Sequence, residues 1–188
     1  MLVRRLLLVA LAPLVLAVSV APSPPAAAAG SSVKPGRLGI GDSVMLGAKV
    51  DLLHHGFHIV DAVVSRQFYS APGVVRHWKR LGKLPKDVVI GLGTNGTVAL
   101  SDCYAVVRAA GPERNVFFVN LKVPRAYRVS DNNQLARCAR HFDNAYLIDW
   151  FRFSYGHPGW FYSDGFHLRP SGRSAYASFV AQRINALT

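Results

Sequence analysis

Three short segments hold residue types whose pattern suits acyl chemistry. Gly39-Ile40-Gly41-Asp42-Ser43-Val44 places a serine where an apolar run gives way to helical periodicity. A serine at a helix N-terminus has free backbone N–H groups and the positive end of the helix dipole beside it, which suits an oxyanion. The glycines allow a close backbone approach. Alone this is weak evidence. Ser43 or Asp42 could serve only as an N-cap, and Met45 stands where a Gly-x-Ser-x-Gly elbow would have its second glycine. Gly91-Leu92-Gly93-Thr94-Asn95-Gly96 follows another apolar run. The Asn95 amide could donate to a tetrahedral oxyanion, an interaction typically worth about 3–4 kcal/mol in a transition state. Asn95-Gly96 is also a strong turn pair, and the two readings are compatible. Asp164-Gly165-Phe166-His167 supplies a base with an acid three residues before it, close enough to hold the second ring nitrogen.

These segments need elements to bring them together. Apolar runs at Arg37–Ile40, Phe57–Val64, Asp87–Leu92, Val116–Val119 and Ala145–Trp150 read as five strands. Between and after them, Val44–His54, Pro72–Leu81, Val98–Ala110, a segment capped by Ser130 and running to about Phe142, and Pro170–Leu187 read as helices. Val123–Val129 reads as a loop. Apolar strands without strict alternation, each followed by a helix, fit a parallel sheet covered on both faces. The expected fold is a three-layer α/β/α sandwich in one domain. Ligands in such folds sit beyond the C-terminal strand ends, where all three segments fall. Their convergence on one sheet edge, in the chain order Ser, Asp, His, argues for a triad of Ser43, Asp164 and His167 more strongly than any single segment.

On these residues the sequence resembles the SGNH (GDSL-like) hydrolase superfamily. Gly41-Asp42-Ser43 matches its first block, Gly93-Thr94-Asn95 its third and Asp164-Gly165-Phe166-His167 its fifth. More narrowly, Gly41 to Ala48, Asp61 through Ser65-Arg66-Gln67, Gly91 to Gly96 and Asp164 to Leu168 resemble the extracellular SGNH domain of bacterial membrane acyltransferases, including peptidoglycan O-acetyltransferases. The resemblance covers about Arg37 to Ala186. It implies the strand order 2-1-3-4-5, with the helices after strands two, three and four on one face and the first and last on the other. In that topology the helices carrying Cys103 and Cys138 are neighbours, so a disulfide is reasonable, with two buried free thiols as the alternative. Many superfamily members have an oxyanion-hole glycine in the second block. Here Val63-Val64-Ser65-Arg66-Gln67 has none, so the candidate donors are the N–H groups of Ser43 and Ser65 and the amide of Asn95. Arg66 could bind an acidic or acyl-bearing substrate or pair with an aspartate.

The implied activity is that of a serine esterase on O-acyl, chiefly O-acetyl, esters of cell-wall or other exported glycans. The alternatives are an O-acetyltransferase of the same glycans, a small-ester or lipid esterase, and a non-catalytic wall-binding module. The triad itself does not choose between water and a sugar hydroxyl as acceptor. The membrane acyltransferase module of the resembled proteins is not found in this sequence, which leans toward hydrolysis unless a separate membrane protein supplies acyl groups. No metal or organic cofactor is needed. His157, Trp160, Phe161 and Tyr162 precede the acid and could form a sugar or acyl platform, with Trp160 the leading candidate, or pack the loop on the last helix. His54, His55 and His58 read as surface histidines rather than metal ligands, and His77 and His141 as helix residues outside the site.

The 188-residue chain opens with Arg4-Arg5, an apolar run Leu6–Ala21, a Pro-rich break and Ala26-Ala27-Ala28-Ala29-Gly30. That order reads as a secretory signal peptide; the rival reading is a retained membrane anchor, for which the apolar run is short. Residues 1–29 are the expected signal, 30–36 a tether and 37–188 the catalytic domain. The formal charge is +12 before the two signal arginines are removed. A secreted chain this basic is drawn to anionic wall polymers, unless the charge serves only solubility. No finger spacing or basic helix points to nucleic acid, and a monomer is expected. N-terminal sequencing of the exported protein should read from Gly30. An intact Leu6–Ala21 segment would refute cleavage.

Overall fold

The computed structural model describes residues 33–188. The expected signal peptide and the start of the tether lie outside them. Among the described residues no helix is long and apolar enough to cross a membrane. At the end of the expected tether the chain is already fastened to the middle of the sheet: Lys86 N–H, just before the central strand, donates to the Lys34 carbonyl at 2.9 Å.

Five strands, β1 (Arg37–Gly41), β2 (Ile59–Ala62), β3 (Asp87–Gly91), β4 (Asn115–Val119) and β5 (Ala145–Ile148), form an all-parallel sheet in the order β2-β1-β3-β4-β5. Successive side chains of a strand point to opposite faces. Leu38, Ile40, Val88, Ile90, Val116 and Phe118 therefore bury one face under α3 (Ala71–Arg80), α4 (Leu100–Ala110) and α5 (Arg128–His141). Val60, Val89, Phe117, Val119 and Ile148 bury the other under α1 (Ser43–Gly47), α2 (Lys49–His54) and α7 (Pro170–Leu187). A short α6 (Trp150–Phe153) follows β5. The expected order and the division of helices between the faces both hold.

Local departures have local causes. The single helix expected over Val44–His54 is two, because the Ala48 N–H is shared between the Val44 and Met45 carbonyls and tightens the turn after Gly47. The second strand stops at Ala62 rather than Val64, where a turn closed by Arg66 N–H to the Val63 carbonyl takes the chain off the sheet. Ser130 does not cap α5. The helix begins at Arg128, with Tyr127 at its N-cap, so Ser130 lies inside it. The fifth strand ends at Ile148, since the Asp149 side chain caps α6 by accepting from Arg152 N–H.

Cys103 on α4 and Cys138 on α5 form a disulfide, with Cα atoms 6.2 Å apart and both residues fully buried. It joins adjacent helices on one face across 35 residues of chain. On the chain-entropy account such a loop contributes about 3–4 kcal/mol. Intact mass should rise by two protons on reduction, and Cys138→Ser should lower the denaturation midpoint accordingly. An unchanged midpoint would mean that packing alone holds α4 to α5.

Candidate active site

The three segments meet at the C-terminal edge of the sheet. Gly41 ends β1, and a Cβ there would lie 2.3 Å from the Met45 Cβ, so only glycine lets α1 turn back onto the strand this closely. Asp42, not Ser43, is the N-cap of α1: its Oδ1 accepts from Val44 N–H at 3.0 Å. Ser43 is therefore the first helical residue, with its hydroxyl free. That hydroxyl lies 2.9 Å from His167 Nε2, and His167 Nδ1 lies 2.7 Å from Asp164 Oδ2.

The loop holding Asp164 and His167 is a small hairpin. Phe161 and Leu168 pair as an antiparallel bridge, and Tyr162 N–H donates to the His167 carbonyl at 2.9 Å. Gly165 turns the chain at φ +78°, a conformation that favours glycine. Asp164 Oδ1 accepts from Phe166 N–H and His167 N–H, both at 3.0 Å, which leaves Oδ2 for the imidazole. Partial burial works to raise the Asp164 pKa. The Phe166 N–H, the His167 side chain and the His167 N–H outweigh it, and the carboxyl is held below its ordinary value.

Asp42 is 1 % exposed, and burial drives its pKa above the ordinary value against hydrogen bonds from the Thr94 hydroxyl, Val44 N–H and Thr94 N–H and the attraction of His167. Thr94 hydroxyl to Asp42 Oδ2 thus joins the first segment to the third. Tyr127 hydroxyl donates to the Thr94 carbonyl at 2.9 Å, a support that no sequence pattern marked. A cavity of about 20 Å³ lies beside Asp42, Val44, Thr94, Asn120 and Tyr176, room for about one water. Burial, followed by the Asp42 charge, pushes the Tyr176 phenol upward.

The remaining site candidates divide. Asn95 sits between the Arg66 carbonyl (3.5 Å) and the Thr94 hydroxyl (3.3 Å), contacts long enough to leave its amide available. Ser65 has φ +61° and is exposed, the third residue of the Val63–Arg66 turn. Arg66 pairs with an aspartate: its Nη2 lies 2.8 Å from Asp61 Oδ1, and its Nη1 donates to the Asp61 and Gly41 carbonyls. Trp160 is half-buried and stacks on His157 at 3.9 Å and Trp150 at 5.9 Å between ring centroids, with its carbonyl against Gly172 of α7. It packs the loop on the last helix. His54, His55 and His58 are exposed, and no cluster of three potential metal ligands occurs among the described residues.

Fold and edge geometry together define an SGNH-type α/β hydrolase architecture. Sequence comparison narrows this. The chain is 31% identical over 150 residues to YrhL of Bacillus subtilis (strain 168), covering 79% of this chain and 24% of that protein. It is 31% identical over 126 residues to O-acetyltransferase OatA of Staphylococcus aureus (strain NCTC 8325 / PS 47), covering 66% and 21%. It thus spans about a quarter or less of the curated relatives it matches. The C-terminal catalytic domain of Streptococcus pneumoniae peptidoglycan O-acetyltransferase A superposes with a TM-score of 0.73 at 22% identity, over 82% of this chain and 95% of that one. No family model matches. Both curated relatives carry the name O-acetyltransferase, in accord with the resemblance read from the motifs of this chain.

The Asp61–Arg66 pair fixes the second segment, and Trp78 Nε1 also donates to Asp61 at 2.8 Å. Burial works to raise the Asp61 pKa, but the bonds from Arg66 and Trp78 and the Arg66 and His77 charges outweigh it and bring it below 3.8. A depressed folded pKa contributes stability that is full above the unfolded value and lost as pH falls through the folded one. Asp61→Asn should therefore cost about 1–3 kcal/mol at pH 7, with the gap to wild type closing below pH 3.8. Urea titrations at several pH values measure it. A gap that persists at low pH would place the effect outside the ion pair.

Proposed function

We propose that this chain is an exported serine esterase acting on O-acetyl esters of cell-wall or other exported glycans. The continuous Asp164–His167–Ser43 hydrogen-bond chain carries this reading. Ser43 Oγ attacks the ester carbonyl carbon as its proton passes to His167 Nε2. Asp164 Oδ2 accepts the Nδ1 proton's hydrogen bond, holds the tautomer and offsets the imidazolium charge. The N–H of Ser43, at a helix start that leaves it without an intrahelical partner, and the Asn95 amide face the developing oxyanion, with the Ser65 N–H as the third candidate. Collapse expels the sugar oxygen, which takes the proton from His167 and leaves acetyl on Ser43. Water then attacks with His167 as base. No step calls for a metal or organic cofactor.

Hydrolysis ranks first because the His167 and Asp164 side chains are 39% and 40% exposed, so water reaches the acyl-enzyme, and transfer requires a site that excludes it. Transfer to a glycan hydroxyl is the second reading. It is supported by relatives that are O-acetyltransferases, and a separate membrane protein would then supply the acyl group. The basic charge supports residence near anionic wall polymers, with the domain acting as a monomer.

Ser43→Ala should lower turnover of a small acetyl ester by more than about 10³-fold while the far-UV spectrum stays native. Asp164→Asn should lower it by about 10²–10⁴-fold. Near-normal turnover in Ser43→Ala removes that serine from the mechanism. Mass analysis of products from an activated acetyl donor, with and without a chitooligosaccharide or muropeptide acceptor, separates acetate from acetylated sugar. Efficient sugar acetylation in water would reverse the ranking.

A further inference from the structure

Beside the Asp164–His167 loop lies an open cleft of about 370 Å³, lined by Lys122, Pro124, Arg128, Phe151, Tyr155 and Gly165 among others, within the size range of sites for small ligands. Gly165 belongs to the loop that carries acid and base. Lys122 also borders the small cavity beside Asp42 and Thr94, so the two share one wall residue.

Its charge arrangement is unusual. The Lys122 ammonium lies 5.5 Å and the Arg128 guanidinium 4.2 Å from the centroid of the same Phe151 ring. That ring is held in place by Phe151 N–H donating to Asn120 Oδ1 at 2.8 Å. Among the described residues neither cation has a carboxylate within 4.0 Å. Arg128 is also the first residue of α5, where the helix dipole opposes a positive charge. Lys122 lies 5.6 Å from the Phe161 ring centroid as well, so the two cations line the cleft over a shared aromatic floor, and an anion bound beside them would offset their charge. Tyr155, 75% exposed, adds an aromatic surface at the same cleft, suited to the apolar face of a sugar ring.

We propose that this cleft is a subsite for a carboxylate carried by the glycan, with Lys122 and Arg128 selecting acidic sugars over neutral ones. Its bearing on turnover rests on the esterase or transferase reading above; the binding does not. The carboxylate belongs to a lactyl ether, as in muramic acid, or to a uronic acid.

Calorimetry on the full exported protein tests it with matched ligands: the disaccharide of N-acetylglucosamine and N-acetylmuramic acid, chitobiose, which lacks the lactyl carboxylate, and trigalacturonate. The acidic disaccharide should bind at least tenfold more tightly than chitobiose, and the preference should shrink with added salt. Lys122→Gln/Arg128→Gln should abolish the preference and Arg128→Lys should keep most of it, while both variants hydrolyse 4-nitrophenyl acetate within about twofold of wild type. Trigalacturonate binding would assign recognition to sugar carboxylates in general; its failure beside a tight muramic ligand would assign it to the lactyl group. Equal binding of the acidic and neutral disaccharides, or a preference that survives the double substitution, overturns the subsite. A carboxylate preference in a protein that does not turn over the small ester would leave the subsite standing and refute the catalytic reading instead.

Discussion

The geometry of the candidate site depends on one buried carboxylate. Asp42 accepts from Val44 N–H and so starts α1, and it accepts from the Thr94 hydroxyl and so joins the loop after β3 to the turn after β1. Its own N–H donates to the Gly91 carbonyl, closing the connection from the backbone side. Losing a partner from a buried acceptor costs about 1–3 kcal/mol, more where the acceptor is charged. The two loops are therefore tied to each other through one side chain. Because Asp42 does the capping, Ser43 does not have to, and its hydroxyl is left to His167.

The same carboxyl group lies in the field of His167, which draws the Asp42 pKa down against the burial that raises it. His167 thus lies near two acidic residues. Asp164 is in direct contact and holds the ring's orientation.

Much of this was legible in the sequence because the relevant signals are local. Five apolar runs, each followed by a helix, specify a parallel sheet with little ambiguity, and the chemistry-bearing residues lie where strands end. The cysteine pairing became reasonable only through the strand order that the resemblance implies, since that order makes α4 and α5 neighbours; the bond itself is visible only in the fold. Departures arose where a hydrogen bond outvoted a propensity. Ser130 has the right chemistry for a cap, but the backbone commits to helix two residues earlier. Tyr127 supports Thr94 from a segment that reads as plain loop. Such long-range side-chain bonds leave no periodicity to detect. Arg66 shows a different limit: both of its roles were compatible with its sequence neighbours, and only the fold reveals that Asp61 meets it.

The second segment shows how the site keeps its shape without the glycine that many superfamily members have there. The Val63–Arg66 turn needs a positive φ at its third residue, and Ser65 adopts it at +61°. For a residue with a Cβ that conformation costs roughly 1–2 kcal/mol, so it persists only where the surroundings impose it. On one side the Val63 N–H is held by the Gly41 carbonyl at 3.1 Å. On the other, Arg66 reaches back to Asp61 and to the same Gly41 carbonyl. The guanidinium thus braces a strained turn against the end of β1, the strand that leads to Ser43.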